Sequence, residues 1–64
     1  MTKYKITYES LINDIDSDGK WRKETDDNKG QGYELDEAAD AASQLKAMSF
    51  PTQNSNIKIL EMEV

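Results

Sequence analysis

The 64-residue chain contains no cysteine and no histidine, and it has only one proline, three glycines and one tryptophan. The lack of cysteine excludes a disulfide framework and thiolate metal ligands. Without cysteine and histidine, the chain lacks the strongest nucleophile, the commonest general base and the commonest metal ligand. So short a chain also has little material for both a core and a substrate pocket. We therefore expect a protein that is not an enzyme and that uses no cofactor.

Long hydrophobic segments are also missing from this chain. No segment approaches the roughly 20 apolar residues of a membrane-spanning helix, and the N-terminal segment has no signal-peptide hydrophobic region. We therefore expect a cytoplasmic protein without a membrane partner. Its length is that of a single small domain, whose free energy of unfolding is typically no more than roughly 3–5 kcal/mol.

Negative charge exceeds positive charge in this chain, and the excess is concentrated in one segment. The formal net charge is −5. Residues 24–40 carry seven acids against one lysine and therefore a net charge of −6, whereas residues 1–23 carry +1 and residues 41–64 carry zero. This asymmetry is the strongest functional signal in the sequence, because a local excess of one charge commonly marks an interaction segment.

The segment from Tyr33 to Met48 has the pattern of an amphipathic helix. Its apolar residues recur at the three- and four-residue spacing of one helix face, namely Ala38, Ala41, Ala42, Leu45 and Met48. Asp36 is the expected N-cap, and Pro51 is expected to end the helix at Phe50, since the residue before a proline avoids helical dihedral angles. We predict a helix over residues 36–49, with Leu45 as its deepest contact.

Three extended segments surround this helix. Thr2 to Glu9 alternates between apolar and polar residues, which is typical of a half-buried strand. Asp18-Gly19 favours a tight turn, and residues 20–25 resume an extended pattern with Trp21 as their one large apolar anchor. Residues 57–64 form the last predicted strand. Its apolar residues change face along the strand, which indicates either a bulge near Leu60 or partial cover of both faces.

These elements predict a single domain of the α+β class, a ββαβ unit with a small, mainly antiparallel three-stranded sheet and one helix on one face. The hairpin is expected over residues 2–25, an acidic glycine-containing loop over 26–32, the helix over 36–49 and the last strand over 57–64. Residues 52–56 are expected to be a polar connector. The predicted core consists of large apolar residues from every element: Tyr4, Ile6, Tyr8, Trp21, Leu35, Leu45, Met48, Phe50, Ile59 and Met62.

Three aspartates in the hairpin, Asp14, Asp16 and Asp18, stand at alternate positions before Gly19. This spacing resembles the first half of an EF-hand calcium loop, in which alternate oxygens converge on the ion and the glycine permits a sharp bend. The twelfth position of such a loop is a bidentate glutamate, but Thr25 stands there in this chain. We therefore interpret the segment as a hairpin turn with solvated aspartates, and a weak calcium site is the alternative.

Two glycine-aromatic steps carry a second resemblance, Gly19-Lys20-Trp21-Arg22-Lys23 and Gly32-Tyr33 followed by Leu35-Asp36-Glu37-Ala38. Over about half of the chain, this pattern resembles arm-type DNA-binding domains of tyrosine integrases and AP2-like domains. The resemblance implies nucleic-acid binding through the open sheet face, here with Lys3, Lys5, Lys20, Arg22 and Lys58. The acidic segment departs from the family pattern, and the net charge repels phosphate.

The acidic segment itself leads to our preferred functional hypothesis. Favourable charge at the helix start explains Asp36 and Glu37, but it does not require the other acids of the segment. We therefore expect a small protein-binding module, of the kind that phages and mobile elements encode as regulators or inhibitors, acting on the basic surface of a partner protein. The expected contact residues are Glu24, Asp26, Asp27, Glu34 and Asp40. The alternative is the nucleic-acid binder, and we expect a monomer or a weak dimer through the C-terminal strand.

Overall fold

The computed structural model describes residues 2–63 and consists of three strands and one helix in the order ββαβ. Strand β1 spans Thr2–Ile12, strand β2 Arg22–Asp26, helix α1 Leu35–Ala47 and strand β3 Thr52–Glu63. The strands form one antiparallel sheet in the order β2-β1-β3. The predicted α+β class and the ββαβ order of elements are therefore confirmed.

Strand β1 is the central strand, and its alternating sequence determines its two faces. Ile6 lies directly opposite Asp26 of β2 and Ile59 of β3, and it is fully buried. Because paired residues of antiparallel strands project to the same side, the even-numbered residues of β1 share one face with these partners. The predicted inward face of β1, which contains Tyr4, Ile6 and Tyr8, is thus the face that includes the deepest side chain.

The helix covers this even-numbered face, but only over part of the sheet. Asn54 pairs with Ser10 of β1 and donates from Nδ2 to the carbonyl oxygen of Leu45 at 3.0 Å. This hydrogen bond satisfies one of the free carbonyls at the helix C-terminus. Within the described residues, α1 packs against β3 and β1 and has no contact with β2. The face that β2 shares with the helix side is therefore left uncovered.

The helix begins and ends earlier than its apolar pattern predicts. Its N-cap is Glu34 rather than Asp36, and the backbone N–H of Glu34 donates to the Glu37 carboxylate at 3.2 Å. The Asp36 carboxylate accepts from the N–H of Glu37 inside the first turn. At the other end Met48 is the C-cap, so the helix stops three residues before Pro51. Asp36 and Glu37 still lie at the positive end of the helix dipole.

Strand β3 is longer than predicted because the polar residues 52–55 also pair with β1. The register shifts between Thr7 and Glu9, opposite a bulge at Asn56 and Ile57, and Asn56 adopts a positive φ of 52°. Of the two alternatives for the changing apolar pattern, a bulge near Leu60 is therefore wrong in position. Beyond it, Ile57 and Ile59 share the helix side, whereas Leu60 and Met62 lie on the open face. The predicted extension to Val64 lies outside the described residues.

The buried core is smaller than the sequence predicts. Only Ile6 and Ala38 are fully buried hydrophobic residues in the described part of the chain. Tyr4, Tyr8, Leu45 and Met62 are half-buried. The other members of the predicted core are exposed, namely Trp21, Leu35, Met48, Phe50 and Ile59. Ala38, not Leu45, is thus the deepest residue of the helix, because a methyl side chain allows the closest approach to the sheet.

The loop that connects β2 to the helix returns to the line of β2 at Tyr33. Tyr33 forms an antiparallel bridge with Tyr4, with backbone N–H to O distances of 2.8 and 2.9 Å. Between the two pairing segments, Gly32 N–H donates to the Asp27 carbonyl at 2.7 Å, and Asn28 Nδ2 donates to the Gly32 carbonyl at 3.1 Å. Tyr33 therefore anchors the helix start to the sheet, whereas Leu35, a member of the predicted core, is exposed.

Candidate binding surfaces

The uncovered helix-side face of β2 brings two tyrosines together with four carboxylates. We call this region the acidic tyrosine surface, and it consists of Tyr8, Glu24, Asp26, Asp27, Tyr33 and Glu37. Tyr8 lies opposite Glu24 in the β1–β2 register, and Ile6 lies opposite Asp26. The hydroxyl of Tyr33 donates to the Asp26 carboxylate, 2.9 Å from each of its oxygens. Both tyrosines are half-buried, so their rings stay partly accessible.

The negative charge of this surface contributes to a raised pKa in both of its tyrosines. The hydrogen bond to Asp26 raises the pKa of Tyr33 above its ordinary value of 10.0, and burial and the charges of Asp26, Glu37 and Asp27 raise it further. Burial is the main cause that raises the pKa of Tyr8, followed by the charges of Glu24 and Asp26. Both hydroxyls are therefore held in the neutral form, and the negative potential of the surface comes from its carboxylates.

We expect the substitution Tyr33→Phe to destabilise the protein by about 1 kcal/mol, since the lost hydrogen bond is charge-assisted but only partly buried. A raised folded-state pKa gives stability that is present below the unfolded pKa near 10.0 and is lost as the pH rises through the folded value. The wild type should thus lose stability above about pH 10, and the variant should lose less. Urea unfolding at pH 7, 9.5 and 10.5 measures both effects.

The control for this experiment is Tyr4→Phe. The Tyr4 hydroxyl has no hydrogen-bond partner within residues 2–62, so its removal should leave the unfolding free energy within roughly 0.5 kcal/mol of the wild type. An equal loss of stability in the two variants would show that the Tyr33–Asp26 hydrogen bond does not hold the loop.

Of the five acids predicted to contact a partner, three have intramolecular hydrogen bonds or ion pairs and two do not. Asp26 and Asp27 accept hydrogen bonds within the loop, the latter from the N–H of Gly30 at 3.0 Å. Glu34 pairs with the Nζ of Lys3. Glu24 and Asp40 are exposed, and neither has a hydrogen bond or ion pair within the described residues. Three of the five are thus tied to the fold, and Glu24 is the member of the acidic tyrosine surface that is free to meet a partner.

The opposite face of the sheet carries lysines. Lys3, Lys5 and Lys58 lie there with Lys23 of β2, because the odd-numbered residues of β1 pair with Met62, Leu60, Lys58 and, in β2, Lys23. Lys3 and Lys5 lie opposite Met62 and Leu60, and both lysines are half-buried, so their aliphatic stems cover apolar surface. We call this the lysine face. The one acid on its paired strands is Glu9, which accepts from Asn56 Nδ2 at 3.0 Å.

The structure does not bring together all five basic residues of the predicted nucleic-acid face. Arg22 pairs with Ser10, so it projects to the helix side, and it forms an ion pair with Asp18 at 2.9 Å. Lys20 precedes β2 and lines a depression at the hairpin end. Lys23, which the sequence analysis did not select, lies on the lysine face instead. The alternation of residues in β2 shows that Arg22 and Lys23 lie on opposite faces of the sheet. The sequence could not tell which of these faces is on the helix side, because Trp21 is the only large apolar residue of the segment and it is exposed.

The three hairpin aspartates line the same depression of about 410 Å³, beside Ile12 and Ser17. Asp18 is engaged by Arg22 and by the N–H of Lys20, and Asp14 accepts from the N–H of Asp16. Among residues 2–63, no group of three acidic side chains is arranged to hold a metal ion. Asp14 and Asp18 therefore act in the structure as turn-forming residues, hydrogen-bonded to nearby backbone.

Across the described chain, no helix is long and apolar enough to cross a membrane. Comparisons with protein-family models, with curated proteins and with solved structures gave no match. The resemblance to integrase and AP2-like domains thus gains no support from them, and the surfaces themselves must carry the functional argument.

Proposed function

We propose that the protein is a non-enzymatic binding module whose acidic tyrosine surface takes a basic, arginine- or lysine-containing segment of a partner protein. The observation that carries this proposal is the position of the Tyr8 and Tyr33 rings among carboxylates, on sheet surface that the helix leaves bare. Aromatic faces attract guanidinium and ammonium groups, and surrounding carboxylates add charge complementarity. Such a surface speeds association and selects the partner more than it raises affinity.

The arrangement of the acids supports a rigid rather than a diffuse contact. Asp26 is fixed between the Tyr33 hydroxyl and the N–H of Asn28, and Asp27 is fixed by Gly30. Carboxylates that are already held in place lose little side-chain entropy on binding. Glu24, which is free, can then complete the contact with the incoming cation.

A titration with the peptide acetyl-Arg₄-amide tests this proposal. We expect backbone amide shifts concentrated at residues 8, 24–27, 33 and 37, and no comparable shifts with acetyl-Glu₄-amide. The substitution Glu24→Gln should weaken peptide binding by roughly two- to fivefold, as expected for an exposed ion pair. The difference should shrink as salt is raised, because exposed charges are screened.

The matched control is Glu61→Gln, which removes the same charge from an exposed position on β3. It should leave the peptide affinity nearly unchanged, although the net charge changes equally. Equal losses in the two variants, or amide shifts spread evenly over the acids, would mean that the peptide responds to net charge alone and would contradict the proposal.

The lysine face supports a second candidate function, the binding of nucleic acid. Its support is the collection of Lys3, Lys5, Lys23 and Lys58 on the face opposite the helix. Lys3 is paired with Glu34, whereas the other three lysines have no ion pair within the described residues. A contact to phosphates through three or four lysines predicts a salt slope of roughly −3 in a log–log plot of the binding constant. Retention on a duplex DNA column at low salt, abolished in Lys5→Gln/Lys58→Gln, would favour this function. Passage of the wild type through the column would exclude it.

A further inference from the structure

Strand β3 has an outer edge that no strand within residues 2–63 covers. The sheet order β2-β1-β3 leaves one side of β3 unpaired, and β3 is 12 residues long, whereas the opposite edge strand, β2, has five. A long open edge readily pairs with another strand unless proline, bulges or charge protect it. The bulge at Asn56 lies in the first half of β3, which leaves residues 57–63 as a regular strand without proline.

We propose that this edge pairs with the β3 edge of a second copy of the chain, antiparallel, to form a continuous six-stranded sheet. Ile59 on the helix side is 36% exposed, and Leu60 on the open face is 42% exposed. Both lie in the regular part of the edge strand. A second β3 beside them would bury apolar surface on both faces of the sheet at once, which explains the two-sided apolar pattern of this strand.

The accessible area of the chain matches this pairing. The chain exposes 4838 Å². A compact monomer of 7.3 kDa is expected to expose roughly 4,200 Å², so the chain exposes roughly 650 Å² more than its mass requires. Each partner in an interface of ordinary size buries roughly 800 Å². The molecule is also elongated, with extents of 43 × 18 × 17 Å, as expected for one half of a wider sheet.

Strand length selects β3 rather than β2 as the joined edge. β2 has only five residues, so a second copy paired there would gain few backbone hydrogen bonds. β3 carries Lys58 against Glu61 and Glu63, a net charge of −1 over 12 residues. The weakly charged edge can therefore approach its own copy without strong repulsion, and the complementary partner of a near-neutral apolar strand is another such strand.

The symmetry of the pairing also suits the helix. Antiparallel pairing of identical edges requires a twofold axis perpendicular to the sheet, which keeps both helices on the same side. Since α1 packs against β3 and β1 and not against β2, the two helices would flank the new seam. The acidic tyrosine surfaces would then lie at the two outer ends of the dimer, where both remain accessible.

The first test measures the mass of the full chain by sedimentation equilibrium from about 10 µM to 1 mM, since self-association must depend on concentration. We expect a single-step rise from 7.3 kDa to twice that mass. A mass that stays at 7.3 kDa over this range would overturn the proposal. A mass that rises without limit would also overturn it, because a twofold contact closes at the dimer.

Two variants then test where the copies meet. Leu60→Glu places a carboxylate opposite Lys5 within the same chain, so the monomer should stay folded, but in the dimer two carboxylates would meet near the axis. We expect the dimer dissociation constant to rise at least tenfold. Leu35→Glu is the matched control, because Leu35 is 56% exposed on the first turn of the helix and lies outside the proposed contact. An unchanged dissociation constant in Leu60→Glu, or equal changes in the two variants, would overturn the placement.

Crosslinking gives an independent test because the chain contains no cysteine. A single Leu60→Cys or Ile59→Cys substitution should give a disulfide-linked dimer under mild oxidation, whereas Ile15→Cys, at a 96% exposed hairpin position, should not. Efficient crosslinking at the hairpin position alone would contradict pairing through β3.

Discussion

Replacement of Ile6 by alanine is expected to leave the domain largely unfolded at 25 °C. Ile6 lies in the central strand, is fully buried and pairs on both sides, with Asp26 and Ile59. Truncation of a buried isoleucine to alanine typically destabilises a protein by roughly 2–5 kcal/mol. A domain of this size has a free energy of unfolding of only roughly 3–5 kcal/mol, so little stability would remain.

Two further substitutions calibrate this expectation. Ile6→Val removes one methylene group and should reduce the unfolding free energy by roughly 0.5–1.5 kcal/mol, which leaves a cooperative transition. Ile15→Ala removes the same atoms from a 96% exposed side chain and should be neutral within roughly 0.5 kcal/mol. Urea unfolding followed by circular dichroism at one fixed protein concentration measures all three. An Ile6→Ala midpoint close to the wild-type value would show that the core is centred elsewhere.

The alternation and periodicity of apolar residues along the longer segments predict the main elements of the fold. The alternation of β1 correctly predicts the buried side of the sheet, and the helix spacing correctly predicts one amphipathic helix between strands. These features could be predicted because each depends on residues close together in the chain.

The depth of burial could not be predicted in the same way, because it depends on what covers each residue in space. Trp21 is the largest apolar side chain of its segment, but the helix does not reach β2, so no second layer buries it. The spacing places Leu45 at the centre of the helix stripe, yet the smaller Ala38 makes the closest approach. Residues 52–55 are polar and still form a strand, since their backbone pairs with β1 and Asn54 caps the helix.

For the candidate surfaces as well, local sequence predicts the composition but not the contacts in space. The sequence correctly indicates that acidity is concentrated near the helix start, but it cannot tell free carboxylates from those that hold the loop. Asp26 bonds to Tyr33 and Glu34 to Lys3, contacts that join residues 7 and 31 positions apart. Tyr33 was not among the residues predicted to form a binding surface. Its hydroxyl gains that role only when the loop returns it beside Asp26.

The second large expected effect is at Gly32, where a side chain is excluded by both conformation and contact. Its φ is +78°, in the region where L residues are strained. A Cβ added there would lie 2.5 Å from the Cβ of Lys3 and 3.2 Å from the Sδ of Met62. The Lys3 atom belongs to the root of a side chain on the central strand and cannot move aside without displacing the strand.

We expect Gly32→Ala to destabilise the protein by roughly 2–5 kcal/mol. The left-handed conformation contributes roughly 1–2 kcal/mol of strain for a non-glycine residue, and overpacking adds roughly 1–3 kcal/mol. Gly32 is joined to Asp27 and Asn28 by hydrogen bonds and precedes the Tyr33–Tyr4 bridge. The substitution should thus also displace Tyr33 and weaken arginine-peptide binding at the acidic tyrosine surface.

Gly30→Ala separates the two causes. Gly30 has a similar φ of +89°, but an added Cβ would have no atom within 4 Å. This variant should lose only the conformational part, roughly 1–2 kcal/mol, and should keep Tyr33 in place. Urea unfolding measures the two losses, and the amide shifts of Lys3, Tyr4 and Tyr33 report the position of the bridge. Equal losses in the two variants would mean that the backbone conformation alone requires glycine. A larger loss at Gly32, with shifted bridge signals, is the result expected if the loop must lie directly against Lys3 for the acidic tyrosine surface to form.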